Sequence, residues 1–242
     1  MKSLKKIRLL LANYFGINIQ FLKKNIYKNL ETPDKENINI ILNSNGILHI
    51  GAHRGSERFV YDHLGKPVVW IEANPYIFDE LQLNLNEFKY QIAYNNLLYS
   101  KSNIEKDFFL SSNDGASSSI NDFSEEFLEG KIEFNNLKRN IEMTDKIKMK
   151  TKTLDKIILD NNIEISKYDH WVIDVQGAEL EVLKGSVENL DKCKSLTIEV
   201  STHRFYKNSV LWNEIKDYLK SKNFYSVREP VKNHDDILFV KQ

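Results

Sequence analysis

The sequence predicts an α/β fold: a mostly parallel, seven-stranded sheet with helices on both faces. Three observations carry this. From Ile47 onward, short apolar runs alternate with stretches of helical periodicity, which is the pattern of successive βαβ units. Two of those runs end on an acid, at Glu72 and near Asp174, and a third is followed at once by the glycine pair Gly51 and Gly55. The chain is 242 residues long, 41% hydrophobic and 28% charged, which suits a soluble globular protein with one sizeable core.

The first element is an appendage. Leu4, Ile7, Leu10, Leu11 and Tyr14, then Ile19, Leu22, Ile26 and Leu30 after Gly16, recur at helical spacing and predict two amphipathic helices. A polar break, Glu31 to Asn37 with Pro33, separates them from the body, so residues 1–45 are read as an N-terminal extension and 46–242 as the catalytic domain. The body's strands are expected at Ile47–Ile50, Val68–Glu72, Gln91–Tyr94, Trp171–Val175, Leu196–Val200, Tyr225–Arg228 and Ile237–Lys241. Helices are expected at Arg58–Leu64, Ile77–Phe88, Leu180–Leu190 and Val210–Asn223. Lys106–Ser111 and Lys146–Leu154 read as two inserted strands, with helical Glu125–Arg139 between them.

Charge and cysteine usage exclude several function classes. Of 34 basic side chains, seven fall in the first thirty residues, which hold no acid; the remainder carries 27 basic against 34 acidic groups. A phosphate backbone demands a continuous basic surface, so nucleic acid is not an expected partner of the body. The basic amphipathic N-terminus fits a cap or dimer surface, or an element resting on an anionic membrane or docking a partner through residues 1–30. Cys193 is the single cysteine, so no intrachain disulfide can form. The expected location is cytoplasmic, with a peripheral place at the inner face of the membrane if the N-terminus binds lipid.

The candidate site starts with the turn Gly51-Ala52-His53-Arg54-Gly55, where glycines let the backbone bend sharply and approach a ligand, with helix N–H groups facing the same space. The third glycine of a dinucleotide-binding turn is absent. Glu72 closes the next strand and can accept both hydroxyls of a ribose. Further on, Asp174 and Glu179 bracket the Gln176-Gly177 turn after a buried-type strand. Glu199 ends the next strand, with Ser201 and His203 just beyond. Three acids and a histidine on one rim either raise a carboxyl pKa by mutual repulsion or invite a cation such as Mg2+ at Asp174 and Glu199.

These residues resemble the FkbM-type methyltransferases. The resemblance rests on Ile47-Leu48-His49-Ile50-Gly51-Ala52-His53-Arg54-Gly55, on Glu72-Ala73-Asn74-Pro75 and, most specifically, on Ile173-Asp174-Val175-Gln176-Gly177-Ala178-Glu179-Leu180-Glu181-Val182-Leu183-Lys184-Gly185. Gly115-Ala116-Ser117-Ser118-Ser119, Thr153-Leu154-Asp155 and Ile198-Glu199 agree as well, so it spans roughly residues 46 to 201. It implies a Rossmann-like class I methyltransferase fold, S-adenosylmethionine as methyl donor and an oxygen acceptor, commonly a sugar or polyketide hydroxyl. Carried over by position, it assigns His49, Gly51, Ala52, Gly55, Glu72, Asn74, Ser118 and Asp174 to the cofactor. One position departs from the family pattern: His49 stands where an acid usually precedes the first glycine, and imidazole is a poorer partner for the methionine ammonium.

Methyl transfer from a sulfonium is an in-line displacement in which the protein chiefly positions and desolvates the reactants. A hydroxyl acceptor also needs a base, and Asp174, His203, Glu199 and Glu179 are the candidates, unless a divalent ion at Asp174 and Glu199 acidifies the hydroxyl directly. The expected acceptor is a small molecule or glycan, foremost a nucleotide-activated or surface sugar. A nicotinamide-dependent oxidoreductase and a non-catalytic membrane- or partner-binding module are the competing readings. Ser111 to Asn121 has the composition of a flexible loop able to close over substrate.

Overall fold

A computed structural model describes residues 32–133 and 140–242. The helix pair expected over residues 3 to 30 lies outside them, as does the 134–139 stretch of the helix expected at Glu125–Arg139, whose described part is one short helix, α4 (Glu125–Leu128). The polar break expected at Glu31 to Asn37 is helical over its described part: α1 spans Thr32–Asn43. Pro33 is compatible with that because it falls in the first turn, where its missing N–H would have no intrahelical partner.

Within Ser44–Gln242, β1 (Ile47–Ile50), β2 (Val68–Glu72), β3 (Gln91–Asn95), β7 (His170–Ile173), β8 (Ser195–Ser201), β9 (Phe224–Ser226) and β10 (His234–Lys241) form one sheet in the order β3-β2-β1-β7-β8-β10-β9. All neighbours are parallel up to β8, whereas β10 runs antiparallel between β8 and β9. This is the Rossmann-like order of the class I methyltransferase fold. Chain order reverses at β1, which pairs with β2 on one side and β7 on the other. Such a reversal opens a crevice beyond the carboxyl ends of the strands. Because β1, β2, β7 and β8 point the same way, Gly51 and Asp174 just after β1 and β7, Glu72 at the end of β2 and Glu199 near the end of β8 collect at one edge.

The strand sequences explain their depth. β1 and β2 are buried at every position, as continuous apolar runs covered on both faces should be. Leu48, Ile50, Val69, Ile71, Trp171, Ile173, Leu196 and Ile198 pack with residues from α5 (Leu154–Asp160), α6 (Glu179–Lys184) and α7 (Trp212–Lys220) in one core. Each such side chain contributes about 1.5–3 kcal/mol by leaving water. α6 stops well short of the expected Leu190. A Cβ on Gly185 would sit 2.3 Å from the Tyr99 carbonyl oxygen, so this glycine lets the helix end press against the backbone at Tyr99. The two inserted strands are present as β5 (Glu105–Ser111) and β6 (Met143–Lys152), which with β4 (Leu97–Leu98) make a separate three-stranded sheet. Among the described residues no helix is long and apolar enough to cross a membrane.

Candidate active site

A cavity of about 240 Å³ lies at the carboxyl edge of the sheet, walled by Gly51, Glu72, Phe108, Ser118, Asp174 and Gln176 among others. Its two sides are built differently.

On one side, Gly51 has φ +84°, and a Cβ there would fall 1.6 Å from the Asp174 carbonyl oxygen. Only glycine lets β1 turn this close to the end of β7. Gly55 also has positive φ, and its added Cβ would meet Leu81 at 2.8 Å, so the loop lies flat on α3 (Pro75–Leu85). Ala52 is buried, and its N–H, like that of Gly51, donates to the Ile71 carbonyl. Glu72 clamps the loop from β2. Its Oε2 accepts from the His53 N–H at 2.7 Å and its Oε1 from the Asn74 N–H at 2.8 Å. Burial pushes its pKa up, against the pull of those two donors. A carboxylate offers about four lone-pair sites, so two remain for hydroxyl donors in the cavity. Asn74 caps α3, its side-chain oxygen accepting from the Tyr76 and Ile77 N–H groups.

His49 is elsewhere. Alternation along β1 sends Leu48 and Ile50 into the main core and turns His49 to the opposite face, where it stacks on Trp70 at 4.7 Å and pairs with the Tyr61 hydroxyl at 3.2 Å. Burial lowers its pKa, so it packs as a neutral ring and does not wall the cavity.

On the other side are the carboxylates. Asp174, Glu179 and Glu199 bring ligand atoms within 4.8 Å of one another. Glu179 is committed to the turn: its Oε1 accepts from the Val175 N–H at 3.1 Å and the Gly177 N–H at 2.9 Å. Gln176, held at φ +57°, stands between the other two, its Nε2 donating to Asp174 Oδ1 at 2.6 Å and to Glu199 Oε2 at 2.7 Å. The Tyr206 hydroxyl donates to Gln176 Oε1 at 2.5 Å and so fixes which way that amide faces. Asp174 and Glu199 also hydrogen-bond each other, and the remaining Glu199 oxygen meets His234 Nε2. The Ser201 hydroxyl pairs with His234 Nδ1 at 2.7 Å.

Burial and then the Glu199 carboxylate hold Asp174 well above the usual carboxylate range; burial and then Glu179 do the same to Glu199. Glu179 is pushed up to about 7, first by burial. The Asp174–Glu199 pair therefore holds a proton that neither group would keep in water. Burial lowers the pKa of His234, while the facing carboxylates of Asp174 and Glu179 raise it.

The histidine at this rim is His234. His203 is exposed beyond β8, its Nδ1 beside the Thr202 hydroxyl at 3.0 Å. His234 is legible only through antiparallel pairing, which sets it opposite Ser201. Gln176 and Tyr206 were likewise not among the expected site residues, although Gln176 stands inside the acid-bracketed turn.

The loop expected to be flexible, Ser111 to Asn121, is stitched down by its own serines. Ser111 Oγ accepts from the Ser117 N–H, Ser118 Oγ from the Ser111 N–H, and the Ser119 hydroxyl donates to the Gln176 carbonyl at 2.7 Å. His53 Nε2 pairs with the Asp114 carbonyl at 2.9 Å, joining this loop to the glycine turn over the cavity. Ser118 thus reaches the cavity wall as part of a built roof.

A sequence profile of the methyltransferase FkbM domain matches residues 49–225, most of the chain. The chain belongs to this family. Among solved structures, the FkbM domain here is similar to magnesium protoporphyrin IX methyltransferase from Synechocystis PCC 6803 with bound SAM, at 9% identity and TM-score 0.44, covering 98% of this chain and 97% of that one. It is also similar to a SAM-dependent methyltransferase from Aquifex aeolicus, at 12% identity and TM-score 0.45, covering 98% of each chain. A third, TrmK from M. capricolum in complex with S-adenosyl-homocysteine, has 13% identity and TM-score 0.39, covering 88% of this chain and 69% of that one. No curated protein matches the sequence.

Proposed function

We propose that this FkbM domain transfers a methyl group from S-adenosylmethionine to a sugar hydroxyl, the sugar being nucleotide-activated or part of a surface glycan. The observation that carries the reading is the pairing, across one cavity, of Glu72, a carboxylate with spare acceptor sites, with Asp174, which Glu199 backs as the second member of a proton-holding pair. The cavity suits the cofactor chemically. Glu72 can accept from ribose hydroxyls, and Phe108, Leu97 and Ile120 offer apolar surface to a nucleobase. Bound there, the cofactor supplies an electrophilic sulfonium methyl.

The chain's own groups do the rest. With the cofactor bound, the acceptor hydroxyl would lose its proton to the Asp174 carboxylate as its oxygen takes the methyl group, the proton that the pair already holds resting on Glu199. A base of raised pKa is matched to that task near neutral pH. Glu199 hydrogen-bonds Asp174 from behind, away from the cavity, and His234 Nε2 in turn meets Glu199. The partial burial of Asp174 and Glu199 limits the water that could compete for the methyl.

The reading is metal-independent. The Gln176 amide already lies across Asp174 and Glu199 and supplies the positive hydrogen-bond density a cation would bring. Activity that survives EDTA agrees with this; loss restored by Mg2+ overturns it.

Calorimetry with S-adenosylmethionine, S-adenosylhomocysteine and NAD tests the donor. Binding of NAD alone would make the domain an oxidoreductase, and binding of none would make it a non-catalytic module. A mass-spectrometric screen of nucleotide sugars and glycans with labelled donor tests the acceptor, and labelling only of non-carbohydrate hydroxyls would sink the sugar assignment.

A further inference from the structure

A second cavity, of about 320 Å³, abuts the first. It is lined by Tyr99, Lys106, Asn121, Gly177, Glu181 and Asn208 among others, and it shares Ile120 and Ala178 with the first cavity as a common wall. The two are also linked along β5. Phe108 walls the first and Lys106 the second, and residues two apart on a strand project from the same face about 7 Å from each other. The acids on either side of Lys106 point the other way: Asp107 pairs with Lys146 and Lys148, and Glu105 with Lys148.

Lys106 is thereby left as the cation of this face. It is half-buried, its Nζ lies 4.4 Å from the centre of the Tyr99 ring, and it makes no ion pair among the described residues. The carboxylate sharing the cavity, Glu181, is engaged by the Ser100 hydroxyl and by Lys184. Around the cation stand an aromatic ring and two side-chain amides, Asn121 and Asn208, a lining that hydrogen-bonds hydroxyls as donor and acceptor. Asn121 Nδ2 donates to the Gly177 carbonyl at 3.3 Å, so the floor of this cavity is the same turn that carries Asp174 and Gln176.

We infer that the second cavity is the acceptor subsite and that it takes an anionic sugar, with a phosphate or carboxylate on Lys106 and the reacting hydroxyl directed over Ala178 toward Asp174. This rests on the methyl-transfer reading above. Lys106 would be a specificity-determining residue, since an ammonium beside an aromatic face in a partly dry cleft favours an anion over a neutral sugar of the same shape.

The test uses the full chain saturated with S-adenosylhomocysteine and titrated by calorimetry with glucose 1-phosphate, glucuronate and methyl glucoside, in the natural protein, Lys106→Met and Lys106→Arg. Both or either of the anionic sugars should bind at least about tenfold more tightly than methyl glucoside, the stronger one naming phosphate or carboxylate as the anchor. Lys106→Met should erase that preference, and Lys106→Arg should restore it. Amide shifts on titration should fall at Tyr99, Asn121 and Asn208, which reads the site independently of the variants. Equal binding of methyl glucoside, no binding of either anion, an unchanged preference in Lys106→Met, or shifts confined to other surfaces would each overturn the inference. Failure of S-adenosylhomocysteine itself to bind would be a failure of the methyl-transfer reading, and is separately visible in the first step.

Discussion

Glu72 and Asp174 are the same kind of group at the same edge of the same sheet, one closing β2 and the other following β7, yet their surroundings make them opposites. Glu72 is buried and Asp174 half-buried, and each has a raised pKa. Glu72 is met by two backbone N–H donors, which favour its ionised form and leave it an acceptor platform. Asp174 is met by a second carboxylate, with the Gln176 amide its one N–H donor to the side chain among the described residues, so the pair is driven to hold a proton. Neighbours as well as depth set which form of a carboxylate is favoured.

The two sides touch at Gly51, and breaking them apart there should have the largest effect. Gly51→Ala forces a Cβ into the Asp174 carbonyl at a φ that disfavours it, and should cost roughly 3 kcal/mol or more in denaturant unfolding, with loss of S-adenosylhomocysteine binding. A variant as stable as the natural chain would mean the loop and β7 are not packed as described.

Asp174→Asn should next lower methyl transfer by roughly 10²–10⁴-fold, the range for a lost general base, while S-adenosylhomocysteine affinity stays within a few-fold. Equal loss in both would make Asp174 a cofactor ligand. Glu72→Gln should do the reverse. It trades one acceptor for a donor facing a backbone N–H, costing about 1–3 kcal/mol of stability and about tenfold or more in cofactor affinity, with the bound complex still able to turn over.

The pH dependence of stability sharpens the contrast. A carboxyl whose folded pKa is raised keeps a proton that the unfolded chain has released, so stability falls as pH rises between the two values. For Glu179 that window runs from 4.5 to about 7, and Asp174 and Glu199 shift in the same direction. Urea melts should show stability declining across this range by up to about 1.4 kcal/mol per pH unit for each proton held. Asp174→Asn should flatten the decline, and a slope unaffected by it would place the retained proton elsewhere. Smallest of all, His203→Ala should leave stability within about 0.5 kcal/mol and turnover near normal, as an exposed side chain outside the cavity predicts.

Much of this site is written locally. Gly51 and Gly55 after an apolar strand, Glu72 at the end of the next, Asp174 just after a third and Glu199 near the end of a fourth are legible because a strand's last residues and the turn after it are adjacent in sequence. The positions lost to sequence reading are those whose partners are remote. His49 is chemically plausible as a ligand, but strand alternation and the rings of Tyr61 and Trp70 make it a packing residue. His203 follows Glu199 closely in sequence, yet His234, 35 positions beyond Glu199, is the imidazole that reaches it. The serine-rich loop looks flexible by composition, but its hydroxyls find backbone partners.

By itself, then, the sequence determined the α/β class, the strand run and the glycine and acid positions at one sheet edge, because hydrophobic period and turn chemistry are properties of neighbouring residues. Only the tertiary structure decided which acids share a proton, which histidine stands behind them and where a second cavity opens beside the first. Those depend on the antiparallel register of β10, on the face of β5 that Lys106 and Phe108 share, and on the burial that shifts each charge, none of which exists until distant segments pack.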